Sequence, residues 1–251
     1  MIYFIGAGPG AVDLITVRGA ELLKRAGMVI YAGSLVNPAL LQYIPAGCEV
    51  YDSAGMTLED VLEKLGQGAA RHDVVVRLHT GDPSIFGAIR EQMDALEACG
   101  LPYEVVPGVS SFCAAAAALK AEYTLPEVSQ TVILTRMAGR TPVPQREDIV
   151  QLAAHQATMV LFLSTGMLGK LSQKLMEGGY PADTPAAIVY KASWPDQRRI
   201  VGTVAKLEQM GSQIDVQATA LVLVGRFLGT EYELSKLYNA GFSHGFREAS
   251  R

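Results

Sequence analysis

Two glycine-bearing segments of this chain are typical of loops that bind small ligands. Gly6-Ala7-Gly8-Pro9-Gly10 follows one short apolar run, and Gly81-Asp82-Pro83-Ser84-Ile85-Phe86-Gly87 follows another. Glycine allows the backbone to approach a ligand closely, and α/β proteins bind ligands at the carboxyl ends of their strands. A third loop, Pro107-Gly108-Val109-Ser110-Ser111, also follows a strand-like run. The sequence therefore predicts three loops that meet at one edge of a sheet, with the Asp82 carboxylate among them.

A dinucleotide site is an alternative interpretation of the first segment, because residues 6–11 fit the relaxed pattern G-x-G-x-x-A. That interpretation requires an acidic residue about 20 positions further on, at the end of the second strand, to bind a ribose. The second predicted strand ends in Tyr31-Ala32-Gly33-Ser34 and carries no acid. Pro9 also lacks the N–H that a phosphate-binding turn would use. The sequence therefore disfavours NAD as a ligand.

Each loop also has a purely structural interpretation, which the sequence leaves open. The glycines would then serve a tight turn between a strand and a helix. Asp82 would cap the helix that follows it, and Ser110 or Ser111 would cap the next one, since Asp and Ser are common N-cap residues. A cap and a ligand contact are compatible at the same residue.

The first half of the chain alternates strand-like and helix-like patterns, which predicts a mostly parallel sheet with helices on both faces. Thr57-Leu58-Glu59-Asp60 has the pattern of a capping box, so a helix should follow it. Ser84 is expected to open another helix, which Gly100 ends. The predicted strands are 2–5, 28–31, 74–78 and 103–106, and the predicted helices are 17–25, 38–42, 58–70, 84–99 and 111–119.

Residues 120–130 interrupt this alternation and predict a connection between two α/β domains, 1–120 and 121–251. The polar tail of the second domain, residues 238–251, is expected to be partly disordered. In the second domain the predicted strands are 131–135, 159–163, 186–190 and 220–224, with 200–203 as an extra edge strand, and the predicted helices are 147–155, 166–177 and 204–210.

Composition narrows the classes of function. With 251 residues, 49% of them hydrophobic, the chain can form proper cores. A net charge of −4 without a basic block disfavours nucleic-acid binding, and no apolar run is long enough to span a membrane. The N-terminus enters a strand pattern without a basic segment, so we expect a cytoplasmic protein. Cys48, Cys99 and Cys113 lack metal-ligand spacing and are expected to be reduced, buried thiols, with no metal site.

Two segments resemble the signatures of the tetrapyrrole methylases. They are Gly6–Gly19, which extends the first glycine-bearing segment, and Gly81–Gly87. The resemblance covers nearly the whole chain. Further segments resemble the branch of this family that methylates C11 of precorrin-4 or cobalt-precorrin-4 in cobalamin biosynthesis: 31–35, 126–131, 139–144, 190–195 and 242–244.

The resemblance implies a homodimer of two-domain chains, each binding the methyl donor S-adenosyl-L-methionine in the cleft between its domains and releasing S-adenosyl-L-homocysteine. The resemblance implies that residues of this chain at positions matching the family's donor contacts also contact the donor. It also implies an apolar pocket for the adenine. From the first domain these are Pro9, Gly81, Asp82, Ile85, Phe86, Ser110 and Ser111, and from the second they are Leu163, Ala187, Tyr190, Ala220 and Leu221.

The implied tetrapyrrole substrate carries several carboxylates, which require cations or N–H donors. We nominate Arg136, Arg140 and Lys191 as substrate contacts, with Arg198 and Arg199 as further candidates; ordinary solvated charges are the alternative. Because the donor carries the reactivity, we expect no constellation like Ser–His–Asp, and the sequence does not identify a catalytic base. His79 could remove a ring proton, or it could be a strand-end histidine bonded to a nearby backbone group. Any cobalt would belong to the substrate.

Several functions remain compatible with the sequence. The chain could methylate uroporphyrinogen III or another precorrin position, and an RNA-modifying branch is disfavoured by the absence of basic blocks. A non-catalytic tetrapyrrole carrier is the alternative from another class, and it would lack a donor pocket.

Overall fold

The computed structural model describes residues 1–33, 35–216 and 218–249. The chain forms two compact α/β units. The first comprises Met1–Ala115 together with Lys191–Gln197, and the second comprises Ala116–Tyr190 with Arg198–Arg251. No sequence pattern predicted that Lys191–Gln197 belongs with the first unit, and the predicted boundary after residue 120 stays a prediction. In the part of the chain that the structure describes, no helix combines the length and apolar character needed to cross a bilayer.

The first unit contains a five-stranded sheet in the order β3-β2-β4-β1-β5. All of its neighbouring strands run parallel, which confirms the prediction of a parallel sheet. The edge strand β3 was not predicted, because its four residues alternate in exposure and form no apolar run. The strands are β1 (Ile2–Gly6), β2 (Met28–Tyr31), β3 (Glu49–Asp52), β4 (Val75–His79) and β5 (Tyr103–Val106).

Helices cover both faces of this sheet, as predicted. Leu22 and Leu23 of α1 (Val17–Leu23) pack with one set of strand residues. Val61 and Leu65 of α2 (Leu58–Arg71) pack with the opposite set. Alternate strand residues point to opposite faces, so the strands are apolar on both sides.

The predicted start of α2 is confirmed. The Thr57 hydroxyl accepts a hydrogen bond from the Asp60 N–H at 3.2 Å, and the Asp60 carboxylate accepts one from the Thr57 N–H at 2.9 Å. This reciprocal pair satisfies two N–H groups that have no partner within the helix.

The predicted helix from Ser84 to Cys99 is wrong in its first half. Helix α3 is Arg90–Ala98, and the residues before it form turns. Phe86 and Ala88 have φ angles of 54° and 48°, in the left-handed region that interrupts a right-handed helix. Helix α4 is Ser111–Leu119, and the short helix predicted near residue 40 is the 3-10 helix Pro38–Tyr43.

The second unit contains a mixed five-stranded sheet in the order β6-β7-β10-β8-β9. β6 and β7 are parallel, whereas β10 is antiparallel to both β7 and β8, and β9 is the antiparallel edge strand that the sequence predicted. Its strands are β6 (Val132–Arg136), β7 (Thr158–Phe162), β8 (Pro185–Tyr190), β9 (Arg198–Thr203) and β10 (Ala220–Val224), and its helices are α5 (Ile149–Ala153), α6 (Leu168–Glu177) and α7 (Leu207–Gln213).

The cysteines depart from expectation. Cys99 and Cys113 are exposed, and Cys48 is half-buried. Cys99 follows the last turn of α3, and Cys113 lies on the face of α4 opposite the buried Ala114 and Ala115. The prediction of three buried thiols is therefore wrong, because composition does not show which side of a helix faces the core.

Three glycines pack backbone against backbone where β1, β4 and β5 end. A Cβ built on Gly6 would lie 2.5 Å from the Gly108 Cα, and one built on Gly108 would lie 2.2 Å from the Gly81 carbonyl oxygen. No side chain fits at these distances. The predicted meeting of three loops at one sheet edge is confirmed. The contact explains why positions 6 and 108 are glycine, whereas Gly81 is required by its left-handed φ of 60°.

Substitution of Gly108 by alanine should therefore destabilise the protein, because backbone atoms cannot move aside as a flexible side chain can. We expect a loss of about 2–3 kcal/mol in the free energy of unfolding. Thermal and urea unfolding measure the change.

Gly66→Ala is the matched control, because nothing lies within 4 Å of a Cβ built at this helical position. The control should stabilise the protein by about 0.5–1 kcal/mol, since alanine favours a helix. Equal effects of both substitutions would contradict the packing argument.

Candidate functional site

The first two loops of the first unit are joined by backbone hydrogen bonds. The Gly8 N–H donates to the Gly81 carbonyl at 3.2 Å, and the Gly81 N–H donates to the Gly8 carbonyl at 2.8 Å. Gly8 and Gly81 have φ angles of 78° and 60°, which glycine adopts without steric cost. The tight-turn interpretation of these glycines is thus correct, and it holds the two signature segments side by side.

Asp82 connects the second and third loops. Its carboxylate accepts a hydrogen bond from the Gly108 N–H at 2.9 Å and from the Ser84 N–H at 2.8 Å, and the Ser84 hydroxyl donates as well. Partial burial alone would raise the pKa of Asp82, but the hydrogen bonds from Ser84 and Gly108 outweigh it and hold that pKa below its ordinary value. Asp82 is therefore a carboxylate anion at neutral pH. It does not cap α3, which begins only at Arg90.

The loop after Asp82 presents apolar side chains in a strained backbone. Phe86 is 47% exposed although it is large and apolar, and Ile85 beside it is half-buried. A left-handed φ at Phe86 and Ala88 costs free energy that the surrounding structure must supply. Strained residues of this kind cluster at ligand sites, so the loop fits a contact with a bound molecule.

The remaining nominated residues of the first unit lie close to these loops. Pro9 is buried, Ser110 is buried and Ser111 is half-buried. A Cβ built on Gly81 would lie 3.5 Å from the Ser111 nitrogen, so the third loop is in van der Waals contact with the second. The structure therefore brings Pro9, Gly81, Asp82, Ser110 and Ser111 to one edge of the first sheet.

Trp194 and Ser193 were not nominated, yet both hold the first loop. The Trp194 indole N–H donates to the Pro9 carbonyl at 2.9 Å, and its ring covers Gly10, where a Cβ would lie 2.0 Å from Cδ1. The Ala11 N–H donates to the Ser193 hydroxyl at 3.0 Å. About 180 residues separate the partners along the chain, so only the resemblance at residues 190–195 could have indicated them.

His79 is not suited to remove a proton from a substrate. The side chain is 5% exposed, and among the described residues its Nε2 atom has no hydrogen-bond partner. Burial, with a smaller contribution from the neighbouring charge of Arg77, lowers the pKa of His79 to about 3. A group with that pKa binds a proton too weakly to act as an efficient base near pH 7.

The second unit brings four nominated residues to one edge of its own sheet. β6, β7 and β8 run in one direction and β10 in the other, so Arg136, Tyr190 and Ala220 lie at the same edge, and Leu163 follows directly after β7. Leu163 is 67% exposed and has a φ of 51°. Like Phe86, it is a large apolar side chain exposed on strained backbone.

Ala187 and Leu221 are placed differently. Ala187 is fully buried and pairs with Leu223 and Val201, three residues away from the edge, and Leu221 is only 6% exposed. Ala187 is therefore not among the residues that the structure brings to this edge. Any ligand contact of Leu221 would involve mainly its backbone.

The three nominated cations have different surroundings. The Arg136 guanidinium donates to the carbonyls of Met137, Thr141 and Pro142 at 3.2, 3.1 and 2.7 Å, so it holds the loop that carries the exposed Arg140. Lys191 forms an ion pair with Asp196 at 2.7 Å, and its Nζ lies 5.2 Å from the centre of the Trp194 ring. Direct contact of these cations with a substrate stays a prediction.

A cavity of about 700 Å³ lies in the second unit, between the start of α6 and α7. Its lining includes Met167, Lys170, Glu208 and Asp215, and none of the nominated residues. Within the described ranges no three His, Cys, Asp or Glu side chains are grouped as metal ligands. The sheet edges, rather than this cavity, carry the convergent groups.

The chain matches known proteins along most of its length. The model of the family described as Tetrapyrrole (Corrin/Porphyrin) Methylases matches residues 1–208. A cobalt-precorrin-4 C(11)-methyltransferase from Methanocaldococcus jannaschii is 47% identical over 251 residues, covering 100% of this chain and 97% of that protein. A precorrin-4 C(11)-methyltransferase from Mycobacterium tuberculosis is 46% identical, covering 97% of this chain and 98% of that protein.

Solved structures show the same likeness. The X-ray structure of a cobalt precorrin-4 methyltransferase, a cobalamin biosynthetic enzyme, has a TM-score of 0.88 at 45% identity and covers 91% of this chain and 96% of that one. A uroporphyrin-III C-methyl transferase from Thermus thermophilus, complexed with S-adenyl homocysteine, has a TM-score of 0.76 at 28% identity, with 91% and 93% covered. These matches confirm the resemblance inferred from the signature segments, and the chain belongs to the tetrapyrrole methylase family.

Proposed function

We propose that this protein transfers a methyl group from S-adenosyl-L-methionine to C11 of precorrin-4 or cobalt-precorrin-4, a step of cobalamin biosynthesis. The observation that carries the proposal is the 47% identity to a cobalt-precorrin-4 C(11)-methyltransferase along the full chain. Relatives of similar identity carry the name with and without cobalt, so the metal content of the substrate stays open.

The residues at the first sheet edge fit the donor. The Asp82 carboxylate is charged at neutral pH and suits an ammonium group or ribose hydroxyls. Gly81 leaves room for a close approach to the backbone, and Phe86 offers an exposed apolar surface. At the second sheet edge Leu163 offers a similar surface, as an adenine ring requires. The placement of the donor in a cleft between domains stays a prediction.

S-adenosyl-L-methionine, when bound, supplies a methyl group on a positively charged sulfur. A carbon nucleophile can attack this methyl group in line with the bond to sulfur, and the sulfur leaves with that bond's electron pair. The protein's own contribution is therefore to bind, align and exclude water. Alignment of two reactants can lower a barrier by about 7–11 kcal/mol, and this effect requires no proton-transfer triad. Apolar residues such as Phe86 and Leu163 suit this task, because charge disperses as the methyl group leaves the sulfur.

Cations of this chain would bind the acidic arms of the tetrapyrrole. Arg140 lies exposed in a loop whose backbone Arg136 holds through three carbonyl groups, so this loop presents a cation to solvent. We also propose, from the resemblance, that the protein is a cytoplasmic homodimer.

The identity of the product tests the function directly. Incubation of the purified protein with S-adenosyl-L-methionine and precorrin-4, with and without cobalt, should add one methyl group, and NMR should place it on C11. Methylation at another ring carbon would assign the chain to a different branch of the family. Calorimetry that shows no binding of S-adenosyl-L-homocysteine would instead favour a tetrapyrrole carrier.

Asp82→Asn should weaken donor binding, because the substitution removes the negative charge and one acceptor oxygen. Loss of a charge-assisted hydrogen bond costs about 1.5–3 kcal/mol, so the dissociation constant should rise roughly tenfold to hundredfold. Calorimetry with S-adenosyl-L-homocysteine measures it. Asp183→Asn, at an exposed position of the second unit, is the control and should leave the affinity unchanged. Similar affinities for both variants would remove Asp82 from the donor site.

Arg140→Ala should raise the KM for the tetrapyrrole about tenfold or more while leaving donor affinity unchanged, because only a carboxylate contact is lost. Steady-state kinetics at saturating donor measures this effect. Arg146→Ala is the matched control, since the Arg146 side chain is 87% exposed just beyond the same loop. An unchanged KM in the Arg140 variant would show that this cation does not touch the substrate.

A further inference from the structure

A chain of hydrogen bonds leads from the buried interior of the first sheet to the strained loop after Asp82. The Arg77 Nε on β4 donates to the Gln92 Oε1 on α3 at 3.3 Å. The Gln92 Nε2 then donates to the Ala88 carbonyl at 3.0 Å. Arg77 and Gln92 are 7% and 6% exposed, so the contact between them is buried, whereas the contact with the carbonyl of the exposed Ala88 is part-buried.

The orientation of the Gln92 amide is fixed by its two partners. Arginine only donates hydrogen bonds and a carbonyl only accepts them, so Gln92 must turn its oxygen to Arg77 and its NH₂ group to Ala88. The Arg77 Nη1 also donates to the Ile30 carbonyl at 3.3 Å, which ties the guanidinium to β2. One amide thus links two central strands to the loop.

Arg77 is an unusual group to bury. Burial lowers its pKa to about 10, so it stays charged at neutral pH, and among the described residues no carboxylate forms an ion pair with it. Burying a cation that is held only by neutral acceptors lowers the stability of the fold, and an apolar residue would fill the same space without that loss of free energy. Core packing alone therefore does not account for Arg77.

The loop that receives this contact requires external support. Ala88 has a φ of 48° and Phe86 one of 54°, and neither residue adopts such angles without cost. A Cβ on Gly87, between them, would lie 2.0 Å from the Pro83 carbonyl oxygen, so the loop folds tightly on itself. The Gln92 amide bonds to the carbonyl of the second strained residue.

We propose that Gln92, oriented by Arg77, is a positioning residue that holds the strained Ile85–Ala88 loop in the conformation that contacts the methyl donor. This inference rests on the proposed function, because it assigns the loop to donor binding. Gln92 touches neither donor nor substrate in this scheme and acts only through the Ala88 carbonyl.

Gln92→Glu separates positioning from general stability. Beside Arg77 the new carboxyl stays ionised, so it keeps an acceptor for the guanidinium and gives it a counter-charge. It cannot donate to the Ala88 carbonyl, and its second oxygen repels that carbonyl, so the contact with the loop becomes unfavourable while the contact with Arg77 is kept. We expect the dissociation constant for S-adenosyl-L-homocysteine and the KM for S-adenosyl-L-methionine to rise about tenfold or more. The kcat at saturating donor should change less than threefold.

Three comparisons make the test decisive. Gln151→Glu, at an exposed position of the second unit, makes the same chemical change and should leave donor affinity unaltered. Gln92→Met removes both contacts without adding charge, and it replaces the glutamate variant if that variant does not fold. It should likewise raise the dissociation constant for S-adenosyl-L-homocysteine. Ala88→Gly in the Gln92→Glu background should recover part of the affinity, because glycine adopts the left-handed conformation without support.

The outcomes distinguish this inference from the proposed function. If the wild-type protein does not bind S-adenosyl-L-homocysteine, the proposed function itself fails. If the wild type binds and folded Gln92 variants bind within twofold of it, only the positioning role is overturned. If the Gln92 variants unfold at a lower temperature but keep the wild-type donor affinity and KM, Gln92 stabilises the fold and does not position the loop for donor binding.

Discussion

The close contact between the backbones at Gly6, Gly81 and Gly108 is the constraint on which the first sheet edge depends. With a Cβ at Gly6 or Gly108, the loops after β1, β4 and β5 could not meet at the observed distances, whereas Gly81 is required by its φ of 60°. Parallel pairing alone brings the strand ends to one edge, but it does not bring the loops together. The absence of side chains lets the Gly8 and Gly81 backbones pair and the Asp82 carboxylate reach the Gly108 N–H.

The strained residues of the Ile85–Ala88 loop directly follow the segments that this contact fixes. Backbone hydrogen bonds of 2.8 and 3.2 Å join the loops up to Asp82, whereas in the residues that follow Phe86 and Ala88 adopt costly conformations. The free energy for that strain must come from contacts elsewhere in the unit. The chain from Arg77 through Gln92 to Ala88 supplies one such contact from the interior of the sheet.

What the sequence could predict was local. The parallel sheet, the meeting of three loops and the capping box at Thr57 follow from patterns spanning a few residues. The sequence predicts a helix from Ser84, because nothing in the residue types of the strained loop shows that Gly87 folds against Pro83. The contact between Trp194 and Pro9 joins residues 185 positions apart and depends on the fold itself. Exposure of Cys99 and Cys113 likewise depends on which helix face the core uses.

The chemistry of the proposed reaction agrees with the kind of residue found at the candidate site. These residues fix the conformation of the backbone, and proton transfer is not their role. A donor that carries its own leaving group needs alignment more than acid or base catalysis, so the rate depends on how accurately the protein positions the reactants. Glycine contacts, left-handed residues and buried hydrogen bonds are the means by which a protein fixes such positions. The pKa of His79, lowered to about 3 by burial, agrees with this view, since this histidine is held neutral and is a poor proton acceptor. A site of this kind is therefore recognised by the shape that its backbone is forced to adopt.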